Sequence, residues 1–181
     1  MEGDPEEESG LITVEPDLME GTWMTGQPLR HELVLPLEYG VDPAYPGRPP
    51  SLNSQLAAPV LSLSLLRVLQ SAGVDNLQVF EAIVRDPGNG ATYDDFRAVN
   101  VVGLVRAANM FESKVVPGSE LTLLDVDFEA LVVDEAKTRG LLLFRLAEAV
   151  NAIVVHEAVK QAVEDAGFED VGFYGPGEWL G

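Results

Sequence analysis

The sequence predicts an α+β fold: a mixed or antiparallel sheet with two equivalent helices packed on it, preceded by an acidic disordered tail and a Pro-rich arm. Three observations support this class. Leucines at helical spacing precede Gly73, valines and alanines at the same spacing precede Gly167, and residues 77–105 contain alternating apolar runs on either side of a turn. Two helices beside short strands favour a sheet with helices on one face.

The composition divides the chain near residue 51. Residues 1–50 hold eight of the 12 prolines and eleven acids against two bases, whereas residues 51–181 hold four prolines and nineteen acids against nine bases. A length of 181 residues is typical of one domain with an appendage. We therefore predict a disordered tail over 1–10, a Pro-rich arm over 11–50 and an α+β domain over 51–181.

The tail and arm have different patterns. The tail carries five acids and too little apolar area to offset the entropy of ordering: Glu2, Asp4, Glu6, Glu7 and Glu8. In the arm, alternation at Leu11 and Thr13 and again over 31–37 predicts short strands, the second of which includes His31. The prolines of 40–50 predict an irregular crossing packed on the main body.

The first helix is predicted over 62–72. Leu61, just before it, shares one helical face with Leu65, Leu66 and Leu69, while Ser62 or Ser64 is a suitable N-cap and Gly73 is a left-handed stop. A β-hairpin follows. Its strands cover 77–84 and 92–105, and the residues between them form a turn rich in Asp, Pro, Gly and Asn.

From residue 121 the apolar residues alternate with acids. A strand there would place Asp125, Asp127 and Glu129 on one solvent face, although a helix beginning near Asp127 is an alternative. The remaining predictions are buried strands at 141–144 and 152–155, a helix at 157–166 and a last strand at 171–174.

One internal repeat relates residues 72–80 to residues 166–174. Both copies contain a glycine cap, an apolar residue, an acid and then apolar residues ending in an aromatic. The pattern is typical of a helix-to-strand turn used twice, and a duplicated half-domain is the alternative. The copies start 94 residues apart, which is too far for a solenoid period (72 to 166).

The composition excludes several function classes. The chain has no cysteine, which excludes disulfides and thiolate metal sites. Its first residues show no basic region followed by an apolar one, and no apolar run is about 18 residues long, so we expect neither secretion nor a membrane span. The net charge of −19 opposes contact with nucleic-acid phosphates. We therefore expect a soluble protein of the cytoplasm, and its acidity suits a basic partner or solubility alone.

No catalytic or cofactor-binding motif is present. His31 and His156 lack metal-ligand spacing and are expected on a strand and at a helix cap, and the Gly-rich turn lacks the lysine of a phosphate loop. Asp125, Asp127 and Glu129 could offer oxygens to a metal ion, but a solvated strand face is favoured. Carboxylate pairs such as Asp94 and Asp95 are unspecific in a chain with 30 acids. A binding protein is therefore favoured over an enzyme, with no catalytic residue, metal or cofactor.

Four blocks carry a family resemblance: SAGVDNLQVF at 71–80, FRAVNVVGLV at 96–105, LFRLAE at 143–148 and IVV at 153–155. Over residues 56–174 the chain resembles the myxobacterial-type immunity proteins of polymorphic toxin systems, the eleventh immunity family. The resemblance implies a small cytoplasmic protein, not an enzyme, that neutralises a toxin by direct binding. His156 stands where a serine-like cap is expected, and the first 50 residues lie outside the pattern.

Three hypotheses for function follow. The first is an inhibitor of a basic toxin that binds through acidic surface at Asp94, Asp95, Asp125, Asp127 and Glu129. The second is a regulatory protein degraded by an ATP-dependent protease of the Lon or Clp type, which would engage the acidic tail. The third is an enzyme with an unrecognised carboxylate site.

Three polar residues interrupt the apolar blocks of the resemblance. They are Asn76, Asn100 and Arg145. We assign them structural hydrogen bonds rather than toxin contact, with Asn76 in the turn after the first helix.

Overall fold

The computed structural model describes residues 9–18, 22–116, 126–175 and 178, and it confirms the predicted α+β class. The strands and helices, numbered in chain order, are β1 (Ile12–Val14), β2 (Leu37–Val41), β3 (Leu52–Asn53), β4 (Val60–Ser62), α1 (Leu63–Ser71), β5 (Leu77–Arg85), β6 (Thr92–Val101), β7 (Leu104–Val105), β8 (Lys114–Val115), β9 (Phe128–Ala130), β10 (Leu143–Leu146), β11 (Ile153–Val155) and α2 (Glu157–Asp165). The described residues form three sheets. Their orders are β1-β2-β5-β6-β4-β3, β11-β10-β7 and β8-β9.

The first sheet is mixed, because β2 pairs parallel with β5 while all other strand pairs of this sheet are antiparallel. This arrangement corrects the expectation for the arm, which supplies two strands of the sheet rather than only packing against it. Leu37, Tyr39 and Val41 alternate into the core and are buried. Gly10 is also buried, and its N–H donates to the carbonyl of Tyr45, so the folded chain includes the end of the predicted tail.

The second arm strand begins later than predicted. Residues 31–36 are irregular, so His31 does not lie on a strand. Pro36 has no N–H to donate and restricts the backbone of the residue before it, which explains why pairing with β5 begins only at Leu37.

The predicted hairpin is formed by β5 and β6. Asp86 holds its turn: one carboxylate oxygen accepts from Gly88 N–H at 2.8 Å and Asn89 N–H at 3.2 Å, and the other accepts from Gly47 N–H at 2.7 Å. The second strand ends at Val101 rather than at Val105. Gly103 has a φ of +143°, and after it the chain enters the second sheet, where β7 pairs parallel with β10.

Both helices begin and end as their sequences predict. The Ser62 hydroxyl caps α1, and the His156 ring nitrogen Nδ1 accepts from Ala158 N–H at 3.1 Å to cap α2. The C-caps are Ala72 and Ala166. The glycine after each of them, Gly73 (φ +98°) and Gly167 (φ +81°), adopts the left-handed conformation that ends the helix. The helices share one apolar core, which also includes residues of β6 and β10.

The second copy of the internal repeat does not end in a strand, so the prediction for 171–174 is wrong. In the first copy Leu77 pairs with Val101 across the hairpin, whereas no described strand pairs with the second copy. Val171 and Phe173 still pack against the helical core. Apolar alternation here produces burial without a ladder, because none of the described strands pairs with residues 171–174.

Asn76 connects the first two sheets. Its amide nitrogen donates at 2.8 Å to the carbonyl of Val102, just after β6, and at 2.8 Å to the carbonyl of Leu143 in β10. The structural roles of the other two interrupting residues are also confirmed. The Asn100 amide donates to the Gln27 carbonyl at 2.9 Å, and Arg145 Nη1 donates to the Val150 carbonyl at 2.8 Å.

Replacing the Asn76 amide tests whether its two hydrogen bonds stabilise the contact between the sheets. We expect Asn76→Asp to lower the free energy of unfolding by about 2 to 3 kcal/mol, because both amide hydrogens are lost and the two carbonyls would face a carboxylate. The measurement is urea denaturation. The control is Asn89→Asp, since the Asn89 side chain only accepts, from Ala91 N–H, and a carboxylate can do the same. Equal effects of the two changes would contradict the assignment.

Candidate protein-interaction surface

Asp94 and Asp95, two of the predicted partner-binding acids, lie on β6 near the hairpin turn. Asp95 forms an ion pair with Arg48, and the Arg48 guanidinium carbon lies 5.4 Å and 5.1 Å from the ring centroids of Tyr93 and Phe96. The charge of Asp95 is therefore offset locally. Asp94 is exposed, and its side chain has no ion pair among the described residues.

Asp127 and Glu129 lie at β9, which is a strand rather than the alternative helix. Both acids are exposed, whereas Val126 before them and Phe128 between them are buried, so the predicted alternation is confirmed over these four residues. Asp125 lies outside the described residues, as do the tail acids Glu2, Asp4, Glu6, Glu7 and Glu8.

The structure does not join the predicted acids in one strand or sheet. Asp94 and Asp95 belong to the six-stranded sheet, whereas Glu129 belongs to the two-stranded sheet of β8 and β9. Each group must therefore be considered as a separate part of any binding surface.

An exposed apolar tip, which the sequence analysis missed, precedes β8. The Phe111 side chain is fully exposed, at 101 % of its reference area, and the neighbouring Met110 is 42 % exposed. The sequence signal that could have revealed this tip is a pair of large apolar residues inside a polar turn, between Asn109 and Ser113. Residues of this kind are common in protein interfaces.

Hydrogen bonds fix the backbone beneath this tip. The Asn109 side-chain oxygen accepts from Phe111 N–H at 3.2 Å, and its carbonyl accepts from Glu112 N–H at 3.1 Å and Ser113 N–H at 2.8 Å. The Ser113 hydroxyl connects the turn to the segment after β9 of the same chain, because it accepts a hydrogen bond from Val132 N–H at 2.9 Å. Phe111 therefore lies on a turn whose backbone is fixed by hydrogen bonds.

Acids belong to the same unit as the tip. Glu112 is exposed in the turn itself, and β8, which follows the turn, pairs with β9, where Glu129 is exposed. We call Met110, Phe111, Glu112 and Glu129 the Phe111 surface. It combines an apolar side chain for burial with carboxylates for attraction of a basic partner.

The described residues contain no group of three or more histidines and acids that could hold a metal ion. Of the two histidines, His156 occupies the predicted helix cap.

No helix in the described parts of the chain is both long and apolar enough to cross a membrane.

Comparison with models of protein families and with curated proteins found no match to this chain.

Proposed function

We propose that this chain is a non-enzymatic cytoplasmic immunity protein that neutralises a basic toxin by direct binding, with the Phe111 surface as its contact. The observation that carries the proposal is the complete exposure of Phe111 on a hydrogen-bonded turn. Exposing an aromatic ring forgoes the free energy of its burial, and a partner that covers the ring recovers it.

Charge supports a basic partner. The chain has a net charge of −19, and Glu112 and Glu129 are exposed within the Phe111 surface. Complementary charge accelerates the encounter of two proteins and disfavours wrong partners, while a buried aromatic anchor supplies much of the affinity. The Phe111 surface offers both contributions.

The family resemblance supports the same function and also suggests a division of labour. The four similar blocks lie in the framework, chiefly in β5, β6, β10 and β11, and most of their apolar residues pack in the core. Phe111 lies between the second and third blocks. We infer that the blocks maintain the fold, while the turn determines which toxin is bound.

We expect affinity purification of the tagged protein from its native host to recover one basic, toxin-like protein. Retention should fall between about 50 mM and about 300 mM salt, because screening weakens exposed charge interactions. Mass spectrometry of the bound fraction is the measurement. Recovery of an ATP-dependent protease alone, or of no protein, would contradict the inhibitor function.

Phe111→Ala should weaken binding of that protein at least about tenfold, because an aromatic anchor is removed. Its free energy of unfolding should stay within about 0.5 kcal/mol of the original, because the ring is exposed in the free protein. Isothermal titration calorimetry and urea denaturation measure the two effects. Val34→Ala is the matched control, since Val34 is 91 % exposed outside the Phe111 surface. Equal losses of binding in the two variants would contradict the role of Phe111.

A further inference from the structure

Asn89 is the one asparagine of the chain that is followed by a glycine. The residues after the other asparagines all carry side chains; these asparagines are Asn53, Asn76, Asn100, Asn109 and Asn151. A main-chain nitrogen can attack the side-chain amide of the asparagine before it, and a residue without a side chain obstructs that attack least. The pair Asn89 and Gly90 therefore combines an amide with an unobstructed nucleophile.

This pair lies in the turn between β5 and β6, and both residues are exposed. Outside the neighbouring residues, no atom lies within 4 Å of the position that a Cβ would take on Gly90. Water therefore reaches the pair from several directions. By contrast, Asn100 is fully buried, and the Asn76 amide donates to two carbonyls.

The Asn89 side chain is directed along the chain toward Gly90 and Ala91. Its Oδ1 accepts from the Ala91 N–H at 2.8 Å, so the amide group extends past the intervening Gly90 nitrogen. The same hydrogen bond polarises the side-chain carbonyl, and it would stabilise the negative charge that develops on Oδ1 when a nucleophile adds to Cγ. The turn thus supplies both a nucleophile and a donor for the oxyanion.

One hydrogen bond opposes this attack. The Gly90 N–H donates to the Asp86 carbonyl at 2.8 Å, and this bond must open before the nitrogen can reach Cγ. Opening the end of an exposed turn requires no separation of β5 from β6. The bond between Ala91 and Asn89 joins residues two apart and does not depend on the Asp86 carbonyl.

We propose that Asn89 is a site of spontaneous deamidation. The Gly90 nitrogen, after losing its proton to water or hydroxide, forms a bond to Asn89 Cγ. The bond from Cγ to the side-chain nitrogen breaks, and that nitrogen gains a proton from water and leaves as ammonia. Water then adds to either carbonyl of the resulting succinimide and opens the ring to aspartate or isoaspartate. One water is consumed and one ammonia is released, with no change of oxidation state.

The two products differ in their effect on the turn. An aspartate at this position still accepts from the Ala91 N–H. An isoaspartate routes the main chain through the side-chain carbon, which lengthens the turn by one carbon and displaces the Gly90 N–H from the Asp86 carbonyl. Because β5 and β6 are the central pair of the six-stranded sheet, we expect only the isoaspartate form to unfold at lower urea concentration.

The experiment incubates the full-length protein in warm neutral buffer and follows each asparagine by peptide mass spectrometry. Electron-transfer fragmentation distinguishes isoaspartate from aspartate. We expect Asn89 to deamidate at least about tenfold faster than each of the other asparagines, with isoaspartate among the products, since direct hydrolysis of the amide gives aspartate alone. The proposal is overturned if Asn89 reacts no faster than the other asparagines, or if aspartate forms without isoaspartate. Neither outcome depends on the proposed function.

Variants test the chemistry of the turn. Asn89→Gln keeps an exposed amide but must close a larger ring, so deamidation at this position should slow at least about tenfold. Ala91→Pro removes the N–H that bonds Oδ1 and should slow the reaction at least about threefold, whereas Ala91→Gly retains the N–H and is the matched control. Urea denaturation verifies that each variant folds.

Equal rates in the two variants of Ala91 would overturn the assistance by its N–H. If Ala91→Pro does not fold, the rate in Asn89→Gln decides, because undiminished deamidation there would overturn the attack by Gly90.

Discussion

The hydrogen bonds of the Asn76 amide hold the two larger sheets in register with each other. The residue follows the stop of α1 and reaches both the end of β6 and β10, so the helix, the hairpin and the second sheet meet at one side chain. The apolar core beneath the helices draws residues from both sheets and therefore depends on that alignment. Apolar packing alone tolerates sliding, whereas two short hydrogen bonds fix one position.

The elements that the sequence predicted are those whose signals are local. Ser62 and Gly73 define α1 within a few residues, and the Asp86 turn defines the hairpin in the same way. The position of β2 in the middle of a sheet could not be predicted from the arm, because it depends on parallel pairing with a strand about 45 residues further along the chain. Residues 171–174 could not be predicted correctly for the same reason: whether an apolar segment becomes a strand depends on a partner strand distant in sequence, and none of the described strands pairs with this one.

The candidate surface was only partly visible in the sequence. The exposure of Asp127 and Glu129 follows from period-two alternation, but an abundance of acids did not indicate how they are distributed among the sheets. Phe111 could not be recognised, since a phenylalanine is more often core than surface and only the fold shows its exposure. Arg145 was correctly expected to make a structural hydrogen bond, yet the burial of its Nε and Nη2 without partners becomes visible only with coordinates.

The six-stranded sheet ends in very short strands, three residues in β1 and two in β3. Pro49 and Pro50 precede β3 and cannot donate to a neighbouring backbone. At the edges of this sheet a second copy of the chain therefore finds no long row of open backbone groups on which to add a strand, and the high negative charge repels it further. The apolar strands β5 and β6 are shielded in the interior of the sheet, so the fold itself protects the protein against strand-to-strand aggregation.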